Sequence, residues 1–587
     1  MSFAERLSAV RAEMARQNLA AFLVPRADEH LGEYVPANAE RLAWLTGFKG
    51  SAGLAAVFPD TAAVWSDGRY VLQLAAETDA KLWTCLHLSQ TPPQKYIAEH
   101  TAEGARIGYD PWLFSEDQLR QYRDAGLMLV AASPNPVDAA WADRPPAPMD
   151  AAASHPAEYA GEASNAKRAR IAEKLRADKQ DAVVLSDPAS IAWLLNIRGS
   201  DIDFVPVALG FAILHADGAT ELFMAPEKLT PDVRAGLGNA VAAAPREALP
   251  AALAALAGKR VRVDATGAPA WLAETLRQAG AKLMLGQDPC QVPKARKNLT
   301  EQQGARAAQA RDAVALCRFL HWVCGAAGHE TEISAAAQLL RYRQEGALFR
   351  GESFPAISAA GEHGAIMHYR VSPQTNRAIQ PNELYLIDSG GQYLDGTTDV
   401  TRTIWTGPDE PAAEIRGHYT RVLQGHIAIA TLVFPEGVAG VRLDAFARAA
   451  LWKAGLDFDH GTGHGVGSFL SVHEGPASIS PHLRAAPLEE GMILSNEPGY
   501  YLPGHYGIRL ENLILVQPAK VSNTRKFLSF ETLTWAPFDR ALIDTDLLTQ
   551  TERSWLDTYH AGVLAKVGPD LPRGVRDWLA DACGALA

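Results

Sequence analysis

Asp388, Asp399, His464, Glu497 and Glu511 follow one another in that order in the second half of the chain. Four carboxylates and one imidazole form a donor set that can hold two divalent metal ions side by side. Two such ions ~3.5–4 Å apart bridge a water and lower its pKa, which permits hydrolysis of a stable bond without a covalent nucleophile. Hard oxygen donors with one nitrogen favour Mn²⁺, Co²⁺ or Fe²⁺ over a thiolate-bound structural zinc.

These residues need elements that aim them at one point. Asp388 closes the apolar run LYLID, and Asp399, past the turn-forming GGQYLDGTT, opens VTRTIW. Two adjacent strands joined by that turn direct both carboxylates to one place. Taken alone, the pair also fits two surface aspartates flanking a hairpin. A buried pair needs a counter-cation, because uncompensated carboxylates are costly to bury. His464 lies in HGTGHGVG, where glycines on both sides leave the imidazole unobstructed. The run fails G-x-G-x-x-G, because position 466 is Val, so a dinucleotide site is not supported. Glu497 follows the apolar run MILS, and Glu511 precedes LILV. Strand alternation places Arg509 and Glu511 on one face, either as a structural salt bridge or as two members of one site. His368, His460 and His473 flank the set and are candidates for proton transfer or oxyanion stabilisation.

With 587 residues the chain is too long for one core. A net charge of -12 argues against a nucleic-acid partner. Five scattered cysteines without a C-x-x-C pair read as reduced thiols in a cytoplasmic protein. The charged start, MSFAERLSAVRAEMARQ, has no apolar core of a secretory signal, and no run is long enough to span a bilayer. A helix pattern followed by AAFLVP at 20–25 returns as a helix pattern followed by DAVVLS at 181–186. Each copy then reaches an aromatic-centred stretch, LAWLTGF at 42–48 and IAWLLNI at 191–197, so the two read as a divergent internal repeat of small α/β domains. The Ala/Pro-rich stretch 145–161 reads as their linker. Residues 294–345 read as helical, and short β runs follow after Phe349, interrupted by one long helical stretch from about 411 to 452.

The strings IDSGGQYLDGTTDVTRT, HGTGHGVGSFLSVHEGP, SNEPGYY and GIRLEN resemble those of the metallopeptidases that share the pita-bread fold. These include methionine aminopeptidase, prolidase and aminopeptidase P. The resemblance is to the three-domain cytosolic form of aminopeptidase P, and it covers nearly the whole chain, including the tail FLSFETLTWAPFDRALIDTDLLTQTERSWL. Prolidase usually carries one N-terminal domain, and methionine aminopeptidase usually lacks both.

The resemblance implies an α/β chain with two tandem creatinase-N-like domains followed by a pita-bread α+β metallopeptidase domain. Its expected parts are 1–150, 160–293, 294–522 and a C-terminal extension 523–587. It implies two divalent ions per subunit, Mn²⁺ first and Co²⁺, Fe²⁺ or Zn²⁺ as alternatives. Asp388 then ligates one, His464 and Glu497 the other, and Asp399 and Glu511 both. Glu497 matches the general base, and His368 and His473 match proton-shuttle and substrate-contacting histidines. His460 and Arg509 match further groups that contact substrate or the site, and Arg69 in SDGRY, read as a strand, matches one that reaches substrate or a partner subunit. The implied activity is hydrolysis of the first residue from peptides with proline second, through a metal-bridged water, in a cytoplasmic homodimer without nucleic-acid or membrane partners. The rival readings are a prolidase, a metal-free peptide-binding relative and a creatinase-like amidinohydrolase.

Overall fold

The AAFLVP and DAVVLS runs each become the central first strand of a six-stranded sheet, Ala21–Pro25 and Ala182–Leu185. Every residue of both strands is buried, which is why the sequence there is continuously apolar rather than alternating. Numbered in chain order within each domain, both sheets run 4-3-2-1-5-6. The repeat is therefore a repeat of topology. Strands Ala21–Pro25 and Arg106–Tyr109 are parallel neighbours, as are Ala182–Leu185 and Arg260–Val263. The aromatic-centred stretches are helices, Arg41–Thr46 and Pro188–Leu195, closed by left-handed Gly47 and Asn196.

The computed structural model describes residues 1–482, 486–521 and 525–586. The chain divides into two compact units, 1–157 with 162–291 and 158–161 with 292–587. The expected boundary between 522 and 523 lies outside the described residues. Two details of the sequence reading change. SDGRY is strand only at its first residue: Ala62–Ser66 ends there, and Asp67 accepts the Arg69 backbone N–H and side chain in a turn. The long stretch 411–452 is two helices, Ala413–Ala430 and Asp444–Trp452, with the strand Val433–Pro435 between them. Pro435 and left-handed Gly437 (φ +87°) break the helical run.

In the second unit, Asn298 and Glu301 cap the 28-residue helix Leu299–Ala326 reciprocally, and Thr331 caps Glu332–Gln344. This helix pair covers the three-stranded sheet Ile357–Ala360, Leu384–Ser389, Val400–Trp405 through Leu316, Phe319, Leu339, Tyr385 and Ile404. The pair Ala413–Ala430 and Asp444–Trp452 covers a six-stranded sheet through Ile429, Ala447, Leu494, Ile514 and Phe530. That sheet runs Val433–Pro435, Phe527–Thr532, Asn512–Pro518, Ile493–Asn496, Gly463–Gly465, Glu474–Ile479. Its Phe527–Thr532 strand comes from the tail, so the tail is built into the sheet as well as packed on it. The tail helix Gln550–Val567 adds Leu556, Tyr559 and Val563 to the core around Ala413–Ala430.

Candidate metal centre

Each of the five acid and imidazole positions sits in or beside a strand end, where a side chain can leave the ladder. Asp388 is the fifth residue of Leu384–Ser389, and Asp399 immediately precedes Val400–Trp405. These two strands pair antiparallel with Asp388 opposite Thr401. The connection GGQYLDGTT is itself a small hairpin, Gln392 opposite Thr397. His464 is the middle of Gly463–Gly465, Glu497 follows Ile493–Asn496, and Glu511 precedes Asn512–Pro518. The Glu511 N–H donates to the Thr401 carbonyl at 3.1 Å, which ties the two sheets together at the site.

Asp399, His464 and Glu511 bring their ligand atoms within 4.8 Å of one another, the one such group among the described residues. His464 Nε2 lies 3.4 Å from both Asp399 Oδ2 and Glu497 Oε1. Its Nδ1 pairs with the Gly465 carbonyl at 3.0 Å, which leaves Nε2 to face the carboxylates. Ser495 clips two members together: its hydroxyl accepts from the His464 N–H at 2.9 Å and donates to Glu497 Oε1 at 3.0 Å. Gly463 is required beside it, because a Cβ there would stand 2.0 Å from the Ser495 carbonyl.

Arg509 does not pair with Glu511. Its Nη2 donates to Asp388 Oδ2 at 2.6 Å, and its Nε reaches Thr401 Oγ1 at 3.3 Å. Thr401 in turn donates to Glu511 Oε2 at 2.8 Å, so Arg509 and Glu511 share the site through one hydroxyl. Arg509 Nη1 also donates to the Tyr501 hydroxyl at 2.7 Å, which bonds His460 Nε2 at 2.8 Å. His460 Nδ1 bonds the Gly461 carbonyl at 2.7 Å, so His460 Nε2 is the acceptor for the Tyr501 O–H. His473 stacks edge-on against His464 with ring centres 4.3 Å apart. His368 is half-buried, and its neighbour Met367 accepts from Arg509 Nη1 at 3.3 Å. Arg69 belongs to the first unit, where it holds Asp67 at 2.7 Å and lies 3.8 Å from Glu33.

The electrostatics are those of a crowded anionic floor. Asp388, Asp399 and Glu511 are at most 7% exposed, while the Glu497 and His464 side chains stay partly open. Burial pushes the Glu511 carboxyl well up, reinforced by Asp399, Glu497 and Asp388. Burial likewise raises Asp388, against the pull of Arg509, and lifts Glu497 to about 7, against the pull of His464. For His464, burial alone acts downward, but the Asp399 hydrogen bond and the Glu497 charge win and carry it to about 9. Ionised together, the four carboxylates would outnumber Arg509 and a protonated His464 by two negative charges. Asp388 Oδ1 and Glu511 Oε1 are buried with no hydrogen-bond partner. Divalent cations supply what both observations demand, so the donor set fits a metal pair.

Sequence reasoning passed over Thr401, Tyr501, Ser495 and Arg402. The buried Arg402 holds the Glu511 carbonyl at 2.6 Å and Asn512 Oδ1 at 2.8 Å. The signal for Thr401 was available, since it lies two residues beyond Asp399, on the same strand face.

The family models that match are metallopeptidase family M24 over 303–518, which contains all five positions, and its C-terminal region over 526–586. Creatinase/prolidase N-terminal domain models match 6–138 and 143–301. A probable Xaa-Pro aminopeptidase P of Laccaria bicolor is 39% identical, covering 99% of this chain and 93% of that protein. Aminopeptidase P1 of Lotus japonicus is 35% identical, covering 98% of each. The crystal structure of X-prolyl aminopeptidase from Caenorhabditis elegans, a cytosolic enzyme with a di-nuclear active site, matches with TM-score 0.94 and 34% identity over the full length of both. The prolidase of Pyrococcus horikoshii, 23% identical with TM-score 0.51, shares the fold over 65% of the chain. With these matches spanning both N-terminal domains, the domain that holds the five acid and imidazole positions, and the tail, the chain belongs to metallopeptidase family M24.

Proposed function

We propose that this chain is a dimetal aminopeptidase that removes the first residue from peptides whose second residue is proline. The observation that carries the reading is full-length similarity to aminopeptidase P, tandem N-terminal domains included, together with the converging ligand atoms of Asp399, His464 and Glu511. An Xaa–Pro bond is a tertiary amide without an N–H, and the ring fixes the local chain, so a dedicated pocket has a chemical rationale.

Asp388 would hold one ion, His464 and Glu497 the other, and Asp399 and Glu511 both. Bound there, such ions activate the attacking water and polarise the scissile carbonyl. Glu497, on the open side of the cluster, takes the proton from that water and delivers it towards the proline nitrogen, with His473 beside His464 to assist. His368 and His460 contact the substrate, and His368 takes part in proton movement. Arg509 keeps Asp388 oriented and, through Tyr501, sets the tautomer of His460. For Arg69 we propose a contact to substrate or to a second subunit, on resemblance alone.

Manganese as the resident metal, a homodimer and a cytoplasmic location complete the proposal, as does the division 1–150, 160–293, 294–522 and 523–587. The cytosolic relative supports the location, and no described helix is long and apolar enough to cross a membrane. The deciding experiment assays the Mn²⁺-loaded chain on Arg-Pro-Pro and on an Xaa-Pro dipeptide. Cleavage of the tripeptide, lost in Glu497→Ala, is the expected result. Cleavage of the dipeptide alone makes the chain a prolidase, and no turnover of either defeats the enzyme reading.

A further inference from the structure

The segment between strands Ile357–Ala360 and Leu384–Ser389 carries His368 and, beyond the short turn Gly361–Ala365, has no regular structure of its own. Its shape is imposed from outside by Glu332, the first residue of helix Glu332–Gln344. The Glu332 side chain is completely buried. Its Oε1 accepts from the Ala360 N–H at 2.9 Å and from His363 Nδ1 at 2.8 Å. Its Oε2 accepts from the Tyr369 hydroxyl at 3.0 Å and from the Arg377 N–H at 3.3 Å. The Glu332 N–H donates to the Arg377 carbonyl at 3.1 Å, which closes the loop at its far end. One carboxylate thus collects four donors, all from residues 360–377. Hydrogen bonds to an ionised acceptor are the strong and directional ones.

The two sequence neighbours of His368 are consequently each gripped by a charged side chain. Met367 is held by Arg509, which belongs to the candidate metal centre, and Tyr369 is held by Glu332, whose carboxylate is committed to donors from residues 360–377. His363 stacks on Tyr369 at 4.4 Å and bonds the same carboxylate, so Tyr369 is fixed at both its ring and its hydroxyl. A helix terminus explains a carboxylate near backbone N–H groups. It does not explain why three of the four donors come from the loop, the fourth from the strand end that leads into it, and none from the helix itself.

We propose that Glu332 is a positioning residue for His368: it holds the 361–378 loop so that the imidazole meets the substrate. This rests on the proposed role of His368. A staple that serves stability alone would not make the loss of activity depend on His368.

The test uses the full chain loaded with Mn²⁺. Glu332→Gln keeps the volume but cannot accept all four donors. Tyr369→Phe removes one of them and serves if the first variant folds poorly. Amide exchange should speed up in 361–378 and stay unchanged in 384–405 and 493–512. On an Xaa-Pro tripeptide, Glu332→Gln should lower kcat/KM by about tenfold to a hundredfold, the scale of an ångström-level misplacement. In a His368→Ala background the same change should cost less than about twofold, because the coupling runs through that imidazole. Unchanged loop exchange, or an equal loss in both backgrounds, overturns the proposal. If the parent chain cleaves no Xaa-Pro peptide, the functional reading falls, and the exchange result still decides whether Glu332 orders the loop.

Discussion

Glu511 should make the metal-free protein weaker than a variant that cannot bind metal properly. The perturbation is Glu511→Gln. The native carboxyl is 1% exposed, receives one hydrogen bond from Thr401, and has Oε1 unpartnered among three other carboxylates. Its folded pKa is raised well above the ordinary 4.5, by burial first and then by Asp399, Glu497 and Asp388. A raised carboxyl contributes full stability below its unfolded pKa and loses it as pH climbs towards the folded one. Each pH unit in that window costs ~1.4 kcal/mol relative to a side chain that does not titrate. The glutamine amide keeps the Thr401 bond and carries no charge. With chelator present, Glu511→Gln should therefore be the more stable protein, by ~1.4 kcal/mol for each pH unit above the ordinary value inside that window, an advantage that shrinks as pH falls towards 4.5. Adding Mn²⁺ at about 1,000 times its Kd contributes ~4.1 kcal/mol to a protein that binds it and should reverse the order wherever the gap in chelator is smaller than that. Denaturant unfolding at several pH values, with and without metal, reads both effects. A variant less stable than the parent in chelator, or a difference that does not change with pH, refutes the reasoning.

Three other outcomes are expected. Asp288 is buried, with Asp187 as its strongest charged neighbour, and is pushed up from 3.8 to about 6. The native chain should lose up to about 3 kcal/mol relative to Asp288→Asn as pH rises through that window. Unfolding curves with a pH-independent gap would count against it. Tyr501→Phe removes the hydroxyl shared by Arg509 and His460 and should lower kcat/KM by about tenfold or more, the scale of one buried hydrogen bond. Unaltered steady-state kinetics would rule that relay out. Gly463→Ala drives a Cβ to within 2.0 Å of the Ser495 carbonyl and should cost more than about 3 kcal/mol along with metal binding. Melting and metal content check it, and normal loading would show that the two strands give way.

Some of this molecule is local and therefore readable in the chain. The four carboxylates of the candidate centre stand at or beside the ends of apolar runs, where a charge can leave a buried strand, whereas His464 lies in the glycine-rich HGTGHGVG. The N-terminal repeat was legible because AAFLVP and DAVVLS are both the innermost strand of a sheet, where every residue is apolar. Helix starts such as Asn298–Glu301 and Thr331–Ser334 are set by side chains three residues apart. Misreadings came where one or two residues decide. Asp67 turns the chain at Arg69, and Pro435 with Gly437 splits a helical pattern that periodicity alone continues.

The residue types of the candidate centre are written in the sequence by itself, because donor identity is a property of side chains. The sequence could not settle which charges neutralise one another. Arg509 and Glu511 are two residues apart, yet Arg509 pairs with Asp388, 121 positions away, and reaches Glu511 only through Thr401. Ser495, Tyr501, Arg402 and Glu332 matter because two sheets and a loop converge on them, and convergence is a property of packing. Ligand types are written in order along the chain. Their orientation, protonation and support are decided by neighbours that only the tertiary fold supplies.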